Sequence, residues 1–379
     1  MVKEFQTGKI AKGSSFLGRK KIIKELQTYI GLNQSVVLIA PRRFGKSSII
    51  KKVIDNNVHN FKIITVDIME IHSKRIFAEH IISEVYSILG IYGILSKLKD
   101  ASLSFFKDLV NHLTALKLSI DDISIETTGK LLKEADEDKL LAHALTLPNI
   151  VAGKLNTKFL FVIDEFGEID KLQSKNELTD TMRTIFQKQE NVVFLFAGSQ
   201  YALMTKIFIE KSSAFYKFAV HIEVPTMKGD DFAKSFKDIF YSKEISLPSN
   251  FAKEVEEISQ GIPYYMVRIA QEVLINALLE DKINIHCYSI RLAALIIFKK
   301  EQSYFTSELN KFRGKKYDVI ALKALTENKS HTKILAELGV SRQNANVIIN
   351  SLVMTGIVEK RGKKYIIVDP FMRRYIQKL

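Results

Sequence analysis

The chain has a single cysteine, Cys287, in 379 residues, so no intrachain disulfide can form and a reducing interior is the expected setting. It has only six prolines against 46% hydrophobic residues, which describes a globular, mostly helical chain and excludes a disordered one. No stretch approaches the roughly 20 apolar residues that a membrane span requires. Residues Met1–Gln6 carry no apolar signal core, so a cytoplasmic protein without a membrane partner is expected. His72, His80, His112, His143 and His286 show no metal-ligand spacing with Cys287 or with acids, and read as ordinary surface or core histidines. Internal repeats, low-complexity tracts and nuclease, protease or transferase signatures are all missing.

What is present begins with an apolar run, Val36–Ile39, then Ala40-Pro41-Arg42-Arg43-Phe44-Gly45-Lys46-Ser47, then a helical pattern from Ser48 to Ile54. Strand, loop and helix in that order are what a phosphate-binding P-loop requires. Its backbone N–H groups turn onto phosphate oxygens, and the helix adds its positive end. Lys46 would reach the β- and γ-phosphates and the Ser47 hydroxyl would ligate Mg²⁺, while Pro41 to Ser48 would cradle the nucleotide. Ala40 replaces the usual first glycine of this pattern. Arg42 and Arg43 are open to three readings: phosphate contacts, fingers acting across a subunit interface, or exposed loop arginines. Arg183 is a weaker finger candidate.

A second apolar run, Lys158–Ile163, ends in Asp164-Glu165. Such a run reads as a strand buried on both faces of a parallel sheet, whose C-terminal end is where open α/β sheets bind ligands. Asp164 would hold Mg²⁺ and Glu165 would orient or deprotonate the attacking water. Lys62–Asp67 and Asn191–Gln200 read as further buried strands and Val220–Pro225 closes the sheet, with Ser199 and Gln200 at an exit beside the γ-phosphate. Helices are expected over Lys20–Ile30 and Leu178–Glu190, with a long helical insertion at about 73–149 containing a polar loop at Ser124–Gly129. The fold class is α/β: a P-loop parallel-sheet core over 1–225, an all-helical lid over 226–308 broken at Gly261-Ile262-Pro263, and a C-terminal domain over 309–379.

That last domain reads as a winged helix-turn-helix. A short helix over Thr332–Leu338 and a turn at Gly339-Val340 precede a helix capped by Ser341 and running to about Thr355. Two strands then flank the basic turn Arg361-Gly362-Lys363-Lys364, and Asp369-Pro370 opens a closing helix. From Lys311 onward there are 15 Lys and Arg against 5 Asp and Glu, so this tail carries +10 of the chain's net +14. Such asymmetry points to a polyanion, nucleic acid before membrane. Arg342, Gln343 and Asn344 suit base edges in a major groove, and Arg361, Lys363 and Lys364 suit phosphates. The competing reading docks this domain on the ATPase body or on a protein.

These residues resemble the archaeal ATPase family of P-loop proteins, close to the AAA+ and STAND ATPases. The matching features are Phe16-Leu17-Gly18-Arg19, Pro41–Lys46, Ile163-Asp164-Glu165 and Ala197-Gly198-Ser199. Further matches are Ala214-Phe215-Tyr216, Gly261-Ile262-Pro263 and Asp369–Arg373. The resemblance implies an ATPase core, a helical lid and a winged helix. It also implies Gly18 and Arg19 near the adenine, Ser199 in the sensor position as a catalytic residue beside Lys46 and Glu165, and Pro263 at the lid turn facing the nucleotide. Phe218 stands where the family has an arginine, and Tyr264 where AAA+ lids carry a sensing one; Arg268, a turn further on, could substitute. The expectation is therefore an ATP- and Mg²⁺-dependent switch with slow intrinsic hydrolysis. Its further partners would be double-stranded DNA, a protein or a second copy of itself. The alternative is a nucleotide-gated regulator with little hydrolysis.

Overall fold

The computed structural model describes residues 5, 7–56, 61–90, 128, 132, 136–172, 175–312, 314–327, 329, 331–362 and 364–379. The expected insertion is described as two helices, Lys74–Ile88 and Glu137–Lys154; 91–127 lie outside the described residues, as does the expected loop at Ser124–Gly129 except for Thr128, which is helical. Lys363 also lies outside them.

Five strands, β1 (Val36–Ile39), β2 (Lys62–Asp67), β3 (Phe159–Asp164), β4 (Val192–Gly198) and β5 (Val220–Glu223), form one parallel sheet in the order β2-β3-β4-β1-β5. Numbered in chain order among the described residues, the surrounding helices are α1 (Lys20–Gly31), α2 (Lys46–Asp55), α3 (Lys74–Ile88), α4 (Glu137–Lys154), α5 (Lys175–Phe186) and α6 (Tyr201–Phe208). β1 and β4 are buried throughout and β3 up to Ile163, as their uninterrupted apolar runs require in a sheet covered on both faces. The two-residue period of the strand divides their side chains. Leu38, Leu160, Val162, Leu195 and Ala197 join the core that runs on through α1 and α2. Ile39, Phe161, Ile163, Phe194 and Phe196 face α3 to α6. On that side a phenylalanine cluster fills the space, with Phe186 stacked on Phe194 at 4.1 Å and Phe166 at 4.8 Å from Phe196. The helix expected over Leu178–Glu190 stops at Phe186, because the chain tightens into i→i−3 turns at Lys188 and Gln189 before β4.

The lid comprises α7 (Gly229–Tyr241), α8 (Phe251–Ser259), α9 (Pro263–Leu279), α10 (Cys287–Lys300) and α11 (Gln302–Asn310). Pro263 opens α9 at its first turn, where its missing N–H costs nothing. The winged helix follows: α12 (Lys316–Thr326), α13 (His331–Leu338), α14 (Arg342–Met354), a hairpin of β6 (Val358–Arg361) and β7 (Lys364–Ile367), and α15 (Pro370–Ile376). Ser341 caps α14 by accepting from the Asn344 amide at 3.3 Å. Apolar residues of lid and winged helix belong to the same continuous core as the α1–α2 face of the sheet, so the three parts pack as one body. Among the described residues no helix is long and apolar enough to cross a membrane.

Candidate functional site

Parallel pairing brings the C-terminal ends of β1, β3 and β4 together, with β4 between the other two. The loop after β1 turns through left-handed backbone at Arg43 (φ +74°) and Gly45 (φ +83°) before entering α2. Phe44 is buried as its anchor, and the first-turn amides of α2, from Lys46 to Ser48, have no partner within the helix. Lys46 is only 6% exposed. Its ammonium pairs with Asp164 and lies 2.9 Å from Glu165 Oε1. The other carboxylate oxygen of Glu165 accepts from the Ser199 hydroxyl at 2.8 Å and from the Ser199 amide at 3.1 Å. Glu165 is itself left-handed (φ +48°), a conformation that turns its side chain back over the strand ends. Burial would raise its pKa, but the Lys46 charge and the Ser199 bonds outweigh this and hold it below the ordinary carboxylate value.

Ser199 thus reaches the site through Glu165, while Gln200, expected beside it, donates to Glu168 at 2.6 Å instead. Ser47 follows Lys46 on the first turn of α2 and is half-buried. A carboxylate and a hydroxyl, the donors Asp164 and Ser47 offer, suit Mg²⁺, which keeps several waters and takes its remaining ligands from phosphates. Among the described residues no group of three His, Cys, Asp or Glu forms a self-sufficient metal site. A third acid, Asp67, pairs in register with Asp164, and burial together with its two acidic neighbours raises its pKa. Sequence reasoning misses Asp67, although it too ends an apolar strand.

Beside the loop lies a cavity of about 170 Å³ walled by Phe16, Leu17, Arg19, Phe44, Gly45, Met227, Pro263 and Tyr264. Gly18, between the wall residues Leu17 and Arg19 but not itself on the wall, has φ +68°, and a Cβ there would come within 2.2 Å of Met227 Cε. Arg19 is buried and donates to the carbonyls of Pro225 and, at 3.2 Å, Phe44, stitching the loop to the exit of β5. Burial pulls its pKa down to about 10 against the opposing pull of Asp231. Gly261 (φ +70°) accepts from Met227 N at 2.8 Å, which pins the turn before Pro263 to the cavity wall. Ser48 accepts from Ala11 N at 3.0 Å and ties the N-terminal segment across the same opening.

The two loop arginines part company. Arg42 is exposed. Arg43 turns its guanidinium away to Tyr265, Glu301 and Asp369. Arg183 lies over the Phe218 ring at 4.6 Å. Arg268 has its Nε buried with no hydrogen-bond partner among the described residues. On the winged helix, Arg342, Gln343 and Asn344 are exposed at the open end of α14, whereas the far end, at Val353, faces α6 across a second cavity of about 220 Å³. Lys364 is exposed at the start of β7, across the hairpin from Arg361.

The fold is similar to that of a Walker-type ATPase of Pyrococcus abyssi, with TM-score 0.69 and 18% identity over 98% of this chain and 99% of that one. It is also similar to the ORC2 protein of Aeropyrum pernix, described as ADPNP–ADP complexes, with TM-score 0.60 and 11% identity over 99% and 98%. No family model matches the sequence, and no curated protein matches it. The chain has the P-loop NTPase fold, with a helical lid and a winged helix, shared with archaeal Walker-type ATPases.

Proposed function

We propose that the chain is a Mg²⁺-dependent ATPase that works as a nucleotide-controlled switch. The observation that carries this is the convergence of Lys46, Asp164, Glu165 and Ser199 at the ends of three neighbouring strands, next to a cavity that fits a base. In this reading Gly18, Arg19, Phe44, Gly45 and Pro263 surround the base and ribose. The amides of residues 42, 43 and 45–48 hold the phosphates, Pro41 having no N–H and Phe44 donating to the Pro41 carbonyl. Lys46 leaves its carboxylates to balance the β- and γ-phosphate charge. Ser47 and Asp164 would hold Mg²⁺, whose contribution is neutralisation of phosphate charge. Glu165, aimed by Ser199, accepts the proton of the attacking water as the γ-phosphoryl departs from ADP. The domain division at 225/226 and 308/309 belongs to the same reading, with the second boundary falling in the last turn of α11, which runs on to Asn310.

The test is nucleotide titration and turnover. Lys46→Ala should lose MgATP binding. Glu165→Gln should bind and stall, by on the order of 10²-fold or more, the loss expected when a general base is removed. Normal turnover by Glu165→Gln overturns the assigned role.

We infer further that the winged helix engages double-stranded DNA. Support comes from the +10 tail and the exposed Arg342, Gln343 and Asn344, with Arg361, Lys363 and Lys364 on the wing for phosphates. A protein-binding regulator remains the second reading, favoured by the packing of α14 against α6. ATPase rate with and without duplex DNA, across protein concentrations, separates them and also reports self-association.

A further inference from the structure

Arg43 lies at a left-handed bend of the phosphate loop, yet its side chain serves another part of the molecule. Nη1 donates to the Tyr265 hydroxyl and to Asp369 Oδ2, and Nη2 to Glu301 Oε2 at 2.9 Å. The guanidinium also lies 5.0, 5.2 and 4.6 Å from the rings of Tyr264, Tyr265 and Tyr304. Its backbone carbonyl accepts from Tyr264 N at 3.3 Å. Tyr264 and Tyr265 open the first lid helix after the Gly-Ile-Pro turn, Glu301 joins α10 to α11, and Asp369 caps α15 of the winged helix. One loop residue therefore holds both outer domains.

Asp369 divides its two oxygens. Oδ1 accepts from the amides of Phe371 and Met372 at 2.9 and 3.0 Å, which caps α15. Oδ2 faces Arg43 and the Tyr265 hydroxyl, the latter at 2.7 Å. Behind them the buried Tyr265 ring stacks on Phe371 at 4.2 Å. The charged side chains are 12–19% exposed, so little water reaches them and each pairing is strong. The neighbourhood is also the wall of the nucleotide site. Arg43, Phe44, Gly45, Pro263 and Tyr264 line the base cavity. At the phosphate end, Pro41 and Ser199 face Gly356, Val358 and Lys360 of the winged helix.

We propose that Arg43 is a positioning residue that couples the nucleotide site to the seat of the winged helix, so that bound nucleotide is trapped while Asp369 holds Arg43 and is released when the two part. This rests on the ATP-site reading above. Parting leaves Arg43 with lid contacts only, frees the hairpin from the phosphate end and loosens the shared wall. Coupling of this kind is reciprocal: nucleotide must favour the seated winged helix by the same factor.

The experiment uses the full chain loaded with Mg²⁺ and mant-labelled ADP, chased with excess unlabelled ATP. Asp369→Asn keeps an oxygen for the α15 cap and replaces the charge facing Arg43. It should release mant-ADP about tenfold faster, within the usual range of coupling factors. Arg43→Met should do the same, and the double variant should be no faster than either single one. Tyr265→Phe, which keeps the ring on Phe371, should also accelerate release and guards against misfolding of the other variants. Reciprocally, ADP should slow hydrogen exchange in residues 370–376 of the wild type and not of Asp369→Asn. Wild-type release rates in Asp369→Asn and Tyr265→Phe, or multiplying effects in the double variant, overturn the coupling while leaving the ATP site intact. Failure of the wild type to retain mant-ADP at all overturns both.

Discussion

Lys46→Ala tests the site without requiring turnover. In the structure the ammonium is the cation held directly between Asp164 and Glu165, with Asp67 in register beside Asp164. Removing one partner of a fully buried pair costs about 3–5 kcal/mol, because the remaining charge stays desolvated. Here the carboxylates are 22% and 19% exposed, so water screens part of that, and about 2 kcal/mol is expected. For a chain of this size that is a fall in Tm of about 2–3 °C. The pH dependence has a definite sign. In the wild type the Glu165 pKa is depressed, so its contribution is present above the ordinary carboxylate value and lost as pH falls through the lower, folded one. Without Lys46 the main charge opposing burial is gone and only the Ser199 bonds remain, so the Glu165 pKa rises relative to the wild type and protonation relieves the variant as pH falls. The gap between the two proteins is therefore widest near pH 7 and narrows towards pH 4.5. Scanning calorimetry at both pH values, without nucleotide, measures it. Added MgATP at about 100 times its Kd should stabilise the wild type by about 2.7 kcal/mol and the variant not at all. A variant as stable as the wild type, a gap that ignores pH, or equal stabilisation by MgATP would refute the reasoning.

Ser199→Ala removes the hydroxyl bond to Glu165 Oε2 and keeps the amide bond, so kcat should fall about tenfold, equivalent to roughly 1.4 kcal/mol, with KM unchanged. Steady-state kinetics decide it, and an unchanged kcat would reduce Ser199 to a structural residue. Replacing Arg361 and Lys364 together with glutamine should lower the salt slope of duplex-DNA binding by about 2, one for each phosphate that is no longer neutralised. A slope that does not move assigns the wing to a protein surface.

The central strands were legible because a sheet covered on both faces demands uninterrupted apolar runs, and the sequence has three of them, in β1, β3 and β4. β2, which also reads as buried, and β5 are the edge strands, only partly buried and interrupted by polar residues. Caps were legible for the same local reason: Ser341 and Asp369 bond to amides two or three residues away. Neighbour order was not. Nothing in Asn191–Gln200 specifies that its strand lies between β1 and β3, and that order is what delivers Ser199 to Glu165. Asp67 was missed because a lone acid at a strand end gains meaning only from its register with Asp164. Met227 became part of the site only once the turn at Gly261 was seen to be pinned to it.

Arg42 and Arg43 mark the limit of local reading most clearly. Side by side in a basic loop, they had equal claims to phosphate or to a neighbouring subunit. The partners that separate them lie 222, 258 and 326 residues further on, beyond any motif. To recruit Arg43, a competing anion must displace two carboxylates and a phenol and uncover parts of three aromatic rings. Breaking desolvated, hydrogen-bonded charge pairs of that kind costs about 2–5 kcal/mol. To recruit the exposed Arg42 it displaces water alone. The left-handed backbone at Arg43 enforces the division, because it throws that side chain towards the lid. Any finger acting on another molecule from this loop is therefore Arg42, and the residue beside it is free to report inside the chain where the winged helix sits.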